Sequence, residues 1–157
     1  MAGILKVDQY QDFNGNTIMT SDGAGNLTLN NSALKSTPAF VVRKSSNQTI
    51  SDYTTTKVTF DTELIDTDNA FASNKFTVPS GAAGKYYLYT KLYLGAVGNS
   101  NFDPGHQVTV NASLILDLSV GDYVEIYAAV DDTSGSPIVA GSTDYRSTFL
   151  GYKLIGA

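Results

Sequence analysis

The chain has 157 residues, no cysteine and a formal net charge of −5. This length suits one ordinary domain with a short additional segment. The lack of cysteine excludes disulfides, thiolate metal sites and a cysteine nucleophile, and the acidic balance disfavours nonspecific binding to nucleic acid or to an anionic membrane.

The sequence opens with a short apolar patch, Ile4-Leu5-Lys6-Val7-Asp8, which is interrupted by charge before it reaches the length of a signal-peptide core. Along the whole sequence, no stretch approaches the roughly twenty apolar residues that a membrane helix requires. We therefore expect a soluble protein that is made in a cytoplasm and does not insert into a membrane.

Residues 1–35 carry short apolar segments separated by turn residues. Asn14-Gly15 and Ser21-Asp22-Gly23 are typical of tight turns, and each apolar segment is too short to enclose a core. We predict an arm of small hairpins that buries its apolar side chains on a partner; the alternative is a flexible tail. The predicted anchoring residues are Ile4, Leu5, Val7, Ile18, Leu27 and Leu29.

From Pro38 onward the apolar residues become denser and alternate with polar residues, as in Val58 with Phe60 and Phe76 with Val78. This period of two, without a helical stripe, predicts that residues 36–157 form a two-sheet antiparallel sandwich with almost no helix. The predicted strands cover residues 39–43, 57–61, 75–78, 85–94, 107–112, 113–118, 123–130 and 148–155.

The strand predicted at 85–94 is apolar or aromatic on both faces. Tyr86 and Leu88 share one face, whereas Tyr87, Tyr89 and Tyr93 share the other. A sandwich strand normally shows one face to the core and one to water, so the second face predicts burial against another chain. The alternative is a solvent face that happens to carry tyrosines.

Six pieces of residues 38–156 resemble, in their order along the chain, the complement-1q-like globular domains. The resemblance implies a tumour necrosis factor-like jelly roll that assembles as a homotrimer. The chain departs from the family pattern at 95–107, where a hairpin pair is abbreviated, so the strand count there stays open. The matching pieces are Pro38-Ala39-Phe40, Lys57-Val58-Thr59-Phe60, Lys75-Phe76-Thr77-Val78-Pro79, Gly84-x-Tyr86-Tyr87-Leu88, Leu118-x-x-Gly121-Asp122-x-Val124 and Ser147-Thr148-Phe149-x-Gly151-Tyr152.

The same resemblance implies which side chains form the trimer interface. It directs the strands at 84–89 and 148–154 toward the threefold axis, with Gly151 allowing close approach of the chains. The implied interface residues are Tyr87, Tyr89, Tyr93, Phe149 and Gly151, and the residues then expected to fill the sandwich are Tyr86, Leu88, Tyr152 and Leu154.

The arm also resembles a known kind of sequence. The opening patch, the Asn-Gly turn and the segment Gly25-Asn26-Leu27-Thr28-Leu29 are similar to the N-terminal leaders of small structural proteins of tailed bacteriophages. This resemblance implies a location in the virion, with phage capsid or tail proteins as partners. It leaves open whether the site is the capsid or the tail.

Few residues suit catalysis or metal binding. His106 is the only histidine, and it lies in a polar turn without the Gly-x-Ser-x-Gly motif of many serine nucleophiles. We therefore expect no enzyme activity, no catalytic residue and no cofactor. Asp61, Asp66 and Asp68 are weak candidates for calcium ligands, because hard oxygen ligands suit that ion; the alternative is a solvated acidic loop.

Together these features predict a non-enzymatic bacteriophage virion structural protein, a trimer that decorates the capsid or the tail and is anchored by its arm. The alternative function is a tail-fibre tip module for host attachment that binds a host-surface glycan or protein. Its possible ligand loop contains Asn99, Asn101 and Phe102, whose amide and aromatic groups suit sugar binding. A cellular cytokine-like or lectin-like ligand is disfavoured because no export signal is expected.

Overall fold

The computed structural model describes residues 6–30, 35–97, 107–130 and 136–156. All regular elements in these ranges are strands, which confirms the all-β prediction for the described part of the chain. In chain order they are β1 (Gln9–Gln11), β2 (Thr17–Ser21), β3 (Leu27–Leu29), β4 (Ala39–Arg43), β5 (Gln48–Thr49), β6 (Thr56–Lys57), β7 (Thr62–Asp66), β8 (Phe71–Ala72), β9 (Lys75–Thr77), β10 (Gly84–Val97), β11 (Gln107–Leu118), β12 (Tyr123–Val124), β13 (Tyr127–Ala128), β14 (Ser136–Val139) and β15 (Thr148–Lys153).

The first three strands form an antiparallel sheet in the order β1-β2-β3, which we call the arm sheet. Its two turns, 12–16 and 22–26, each begin with aspartate and end with Gly-Asn. In the first turn, Asp12 Oδ1 accepts hydrogen bonds from the backbone N–H groups of Asn14 (2.9 Å) and Asn16 (2.8 Å). Asp22 makes the equivalent bonds in the second turn. The aspartates thus supply the local stabilisation expected of Asx turns.

The largest sheet has the order β5-β14-β10-β15-β4-β7, and β11 pairs with the other edge of β10. Strand β10 is long enough to pair with β15 from Tyr86 to Lys91 and with β14 from Leu94 to Val97. Strand β11 runs antiparallel to it from Gly84 to Gly95. Two edges of this sheet are therefore formed by β11 and β7.

A second layer covers one face of this sheet. It consists of the sheet β12-β9-β8 and the pair β13-β6. Phe76 of β9 stacks on Phe40 of β4, with ring centroids 4.8 Å apart, and contacts the ring of Tyr86 at 5.2 Å. The described core between the layers is a cluster of aromatic and aliphatic side chains that includes Phe40, Val42, Val58, Phe60, Phe71, Phe76, Val78, Tyr86, Leu88 and Phe149.

Several strand predictions differ from the structure at their ends. The predicted strand 39–43 is confirmed, whereas 107–112 and 113–118 form the single strand β11. The prediction for 57–61 is wrong beyond Lys57, although Val58 and Phe60 are buried as their alternation indicated. The strand over Thr62–Asp66 was missed because its side chains are mostly polar or exposed, so it lacks an alternating apolar pattern.

Candidate functional site

The outer face of β10 carries the tyrosines that the sequence placed opposite the core. Tyr86 and Leu88 are buried between the layers, as predicted, and Tyr87, Tyr89 and Tyr93 point the other way and are only half-buried. The guanidinium carbon of Arg146 lies 5.1 Å from the centre of the Tyr93 ring, a cation–π contact that orients this tyrosine.

Two residues predicted at the trimer interface lie instead on the core side of β15. Phe149 is 1 % exposed and packs edge-on against Phe40, with ring centroids 4.8 Å apart. Gly151 is buried opposite Leu88, where a Cβ atom would come within 2.5 Å of Leu88 Cδ2 and 2.8 Å of Phe40 Cε1. The close packing at Gly151 therefore comes from core side chains of the same chain.

Tyr152 is also on the opposite face from its predicted one. It is paired with Tyr87 across β10 and β15, and the two rings lie 5.5 Å apart on the outer face. Leu150 is opposite Tyr89 and belongs to that face as well, and Leu154, expected in the sandwich, follows the end of β15 and is half-buried. The resemblance assigned the faces of this strand without its pairing to β10, and that pairing decides them, since shifting it by one residue would move every side chain to the other face.

Strand β11 supplies a surface that the sequence reasoning did not assign. Val108, Val110 and Leu114 are opposite Leu94, Leu92 and Leu88, so they lie on the core-facing side of the sheet. The exposed fraction rises along that side from 9 % at Leu118 to 42 % at Leu114 and 56 % at Val108. The second layer therefore covers only one end of β11.

The other face of β11 adds an apolar side chain beside the tyrosines. Ile115 is exposed and lies opposite Tyr87. The sequence signal for this surface was the alternation of apolar residues at 108, 110, 114 and 116. Alternation alone does not tell whether a second layer covers the apolar side.

We define the β10–β11 surface as the exposed apolar side chains of β11 together with the outer-face residues of β10 and β15. Its members are Val108, Val110, Leu114, Ile115, Tyr87, Tyr89, Tyr93, Leu150 and Tyr152.

The arm sheet has one apolar and one polar face. Tyr10, Met19 and Leu29 are aligned across its three strands, and Leu27 shares their face. Tyr10 and Met19 were not among the predicted anchors, although both lie in the same alternating pattern. The opposite face carries Gln9, Thr20 and Thr28.

The remaining predicted anchors lie at the margin of this sheet. Ile18 is at the register shift between β1 and β2, and Val7 precedes β1; both are exposed. Ile4 and Leu5 lie outside the described residues. The same holds for the predicted ligand loop Asn99, Asn101 and Phe102, and for His106.

The three aspartates proposed as calcium ligands each accept hydrogen bonds from their own surroundings. Asp61 accepts from the Ser46 hydroxyl (2.7 Å) and from the Ser45 and Ser46 backbone N–H groups. Partial burial alone would raise the pKa of Asp61, but these hydrogen bonds hold it well below its ordinary value. Asp66 accepts from two backbone N–H groups and Asp68 from the hydroxyl of Thr67.

The structure does not bring these carboxylates together. Within residues 6–30, 35–97, 107–130 and 136–156, no group of three or more histidine, cysteine, aspartate or glutamate side chains could hold a metal ion. Over the same ranges, no helix could cross a membrane.

No protein-family model matches the chain, and no curated protein matches it. Among solved structures, the globular domain of zebrafish complement 1qA protein is similar, with a TM-score of 0.49 and 18 % sequence identity. The match covers 74 % of this chain and 96 % of that chain. A similarity at this level says nothing of what this chain binds or how it assembles.

Proposed function

We propose that this chain is a non-enzymatic structural protein of a bacteriophage virion. In this proposal its body is a jelly roll that assembles as a homotrimer through the β10–β11 surface, and residues 1–35 anchor the trimer to a capsid or tail protein. The chain is made in the host cytoplasm and resides in the virion. The two-layer antiparallel body and the ordered motifs of residues 38–156 support the jelly roll.

The observation that carries the assembly proposal is the exposed, apolar edge strand β11. An edge strand presents unpaired backbone N–H and C=O groups, and a long apolar one is prone to pair with other chains unless it is covered. Strand β11 extends over residues 107–118 and exposes Val108, Val110, Leu114 and Ile115. A neighbouring copy that covers this edge would bury its apolar side chains and prevent nonspecific pairing of its backbone with other chains.

The tyrosines beside this edge suit the same role. Tyr87 and Tyr152 are in ring contact on the outer face, and Leu150 adds apolar area next to Tyr89. Tyrosine is favoured at interfaces because its ring buries apolar area while its hydroxyl finds a polar partner. The three tyrosines that the resemblance directs toward the axis, Tyr87, Tyr89 and Tyr93, therefore stay in the proposed interface, and Phe149 and Gly151 leave it.

The proposed anchor is supported by the two-faced arm sheet. Its apolar face, with Tyr10, Met19, Leu27 and Leu29, is too small to form a core of its own. These side chains are also not part of the described body core, whose members all lie within residues 40–149. Binding of a virion protein to this face would bury it. The phage assignment itself depends on the resemblance of the leader sequence.

The trimer can be tested by light scattering coupled to size exclusion. We expect three chains per particle for the intact protein, and a monomer for Ile115→Lys, because the substitution places an unpaired charge in a poorly hydrated contact. The matched control is Ile65→Lys, which changes another exposed isoleucine (48 %, against 59 % for Ile115) on β7, at the other edge of the same sheet. A monomeric intact protein, or equal effects of both substitutions, would contradict the proposed interface.

The division between arm and body can be tested separately. Removing residues 1–35 should leave a soluble trimer that no longer rebinds virions stripped of this protein, whereas the full chain rebinds. Leu27→Asp in the full chain should reduce rebinding in the same direction, since it charges the apolar arm face. Full occupancy by the truncated trimer would place the anchor in the body instead.

A further inference from the structure

The outer face of the second layer carries an ordered row of polar and aromatic side chains. Val124 and Ile126 of the segment 123–128 pack on the core, so the alternate residues Tyr123, Glu125 and Tyr127 point outward. Tyr123 is 60 % exposed and Tyr127 is 53 % exposed. Tyr123 belongs to β12 and Tyr127 to β13, two short strands joined by residues 125–126. Large aromatic rings with this exposure are available for contact with a ligand.

Both tyrosine rings are held in place by neighbouring side chains. Tyr127 is paired with Lys57, and its hydroxyl donates a 2.7 Å hydrogen bond to Glu125 Oε2. The ammonium nitrogen of Lys75 lies 4.8 Å from the centre of the Tyr123 ring. Rings that are already oriented lose little conformational freedom when a ligand binds them.

Glu125 interacts with both Lys57 and Tyr127. Its Oε1 atom forms a 2.5 Å salt bridge with the ammonium group of Lys57, which also donates to the Ser73 carbonyl at 2.9 Å. The hydrogen bonds from Lys57 and Tyr127 lower the pKa of Glu125, so the carboxylate is charged at neutral pH. We call the face formed by Tyr123, Glu125, Tyr127, Lys57 and Lys75 the tyrosine ladder.

We propose that the tyrosine ladder binds an uncharged oligosaccharide that lies along residues 123–127. Tyr127 follows Tyr123 by four positions along the chain, which corresponds to at most roughly 13 Å at about 3.3 Å per residue. That span accommodates several linked sugar rings rather than one. The C–H faces of sugars stack on the electron-rich faces of aromatic rings, and their hydroxyl groups can bond the carboxylate and ammonium groups between the tyrosines.

The polar groups of the ladder favour a sugar over a protein partner. Covering the Lys57–Glu125 pair with a protein would remove two charges from water at a high desolvation penalty. A sugar chain leaves these groups partly hydrated and offers hydroxyl partners to them. The ladder therefore differs from the β10–β11 surface, whose exposed side chains on β11 are mainly aliphatic.

The charges also favour an uncharged sugar over an acidic one. The ammonium group of Lys57 is engaged by Glu125, and that of Lys75 by the Tyr123 ring. The Glu125 carboxylate would repel an anionic group placed between the tyrosines. This inference goes beyond the proposed virion function, and no ladder residue belongs to the β10–β11 surface through which the trimer is proposed to form.

Titration calorimetry and saturation-transfer NMR with maltohexaose, cellohexaose and chitohexaose test the proposal on the full chain. We expect saturable binding of at least one of these sugars. Tyr127→Ala and Tyr123→Ala should each weaken that binding about tenfold or more, as loss of a central aromatic contact typically costs more than about 1.4 kcal/mol. Tyr127→Phe, which keeps the ring, should retain most of the affinity and confirms that the site tolerates substitution.

The matched control is Tyr145→Ala. Tyr145 is an exposed tyrosine that also contacts a cation, Arg43, with the guanidinium carbon 5.3 Å from its ring centre, but it lies outside the ladder. Its removal should leave sugar binding unchanged. Thermal melting of every variant verifies that the fold is intact, and light scattering on the same samples reports assembly independently of sugar binding.

Three outcomes would overturn the inference. The first is that none of the three sugars shows saturable binding. The second is that Tyr145→Ala weakens sugar binding as much as Tyr123→Ala or Tyr127→Ala does. The third is that only a heparin hexasaccharide, added as an acidic probe, binds, and that its binding is lost at high salt. The last result would assign the ladder to an acidic ligand through its lysines. None of them bears on whether the chain forms a trimer.

Discussion

The arm sheet and the body show how the same strand pattern leads to different sources of stability. Both contain antiparallel sheets with at least one apolar face. In the body that face is covered by a second layer, so that Phe149 is 1 % exposed, whereas Leu27 on the arm face is 58 % exposed. Packing of apolar side chains should therefore dominate the stability of the body. In an isolated chain, the stability of the arm should depend mainly on the hydrogen bonds in its turns.

The largest effect is expected in the body core. Phe149→Ala removes a ring that contacts Phe40, Phe60 and Phe71 at centroid distances of 4.8, 6.0 and 6.2 Å. A phenylalanine deletion in a core lowers the free energy of unfolding by about 3–5 kcal/mol, which urea unfolding measures. Leu27→Ala in the arm is the comparison and should change that free energy by less than about 0.5 kcal/mol. Similar losses for the two variants would mean that the arm face is buried as deeply as the core.

A second substitution separates core packing from assembly. Gly151→Ala should lower the free energy of unfolding by about 1–3 kcal/mol, because the new methyl group overlaps Leu88 and Phe40. The control is Gly95→Ala on β10, where the nearest atom to a new Cβ would be Ile138 Cγ1 at 3.4 Å. If Gly151→Ala changed the oligomeric state but not the unfolding curve, the glycine would face a neighbouring chain after all.

The sequence predicted the faces within a strand better than the pairing between strands. Alternation grouped Tyr86 with Leu88 and Tyr87 with Tyr89, and the family resemblance then assigned the first pair to the core, where the structure places it. The resemblance assigned Phe149 and Tyr152 to the opposite faces from those in the structure, because the face of β15 that meets the core depends on its register against β10. The exposed part of β11 was missed for a related reason: whether a second layer reaches an apolar side chain is a property of the whole fold.

A smaller effect concerns the buried hydroxyl of Tyr86, which donates a 2.5 Å hydrogen bond to the Ala82 carbonyl. Tyr86→Phe leaves that carbonyl without its partner and should lower the free energy of unfolding by about 1 kcal/mol at pH 7. Because Tyr86 lies in the body core, this loss should appear in the unfolding of the body.

The pH dependence gives the same tyrosine a second readout. Burial, with a smaller contribution from the charge of Asp68, raises the pKa of Tyr86 from 10.0 to about 12. Between these values the unfolded chain loses the proton and the folded chain keeps it, so stability falls as pH rises. Urea unfolding at pH 7 and pH 11 should therefore show a smaller difference between wild type and Tyr86→Phe at pH 11. An unchanged difference would contradict the shifted pKa.

The smallest effect on the stability of the whole protein is expected from a substitution in the arm, although that substitution should open one turn completely. Asp22 Oδ1 accepts from the backbone N–H groups of Ala24 (2.8 Å) and Asn26 (3.1 Å), and Oδ2 accepts from Asn26 Nδ2 at 2.5 Å. Asp22→Ala removes all three bonds while the body core is untouched. Amide hydrogen exchange at Ala24 and Asn26 should accelerate to the rate of an open turn, with no change in the melting temperature of the body.

The equivalent turn around Asp12 provides an internal control for that experiment. Its exchange rates should not respond to Asp22→Ala, since each aspartate bonds only within its own turn. The side-chain hydrogen bond from Asn26, with backbone bonds from Ala24 and Asn26, lowers the pKa of Asp22 below 3.8. The stabilisation is therefore present at neutral pH and is lost as pH falls below 3.8, through the lowered pKa. In acid, the turns at 12–16 and 22–26 should both open. In Asp22→Ala at neutral pH, only the turn at 22–26 should open. If Asp22→Ala opened both turns, the arm sheet would be a single cooperative unit and its stability would not be local.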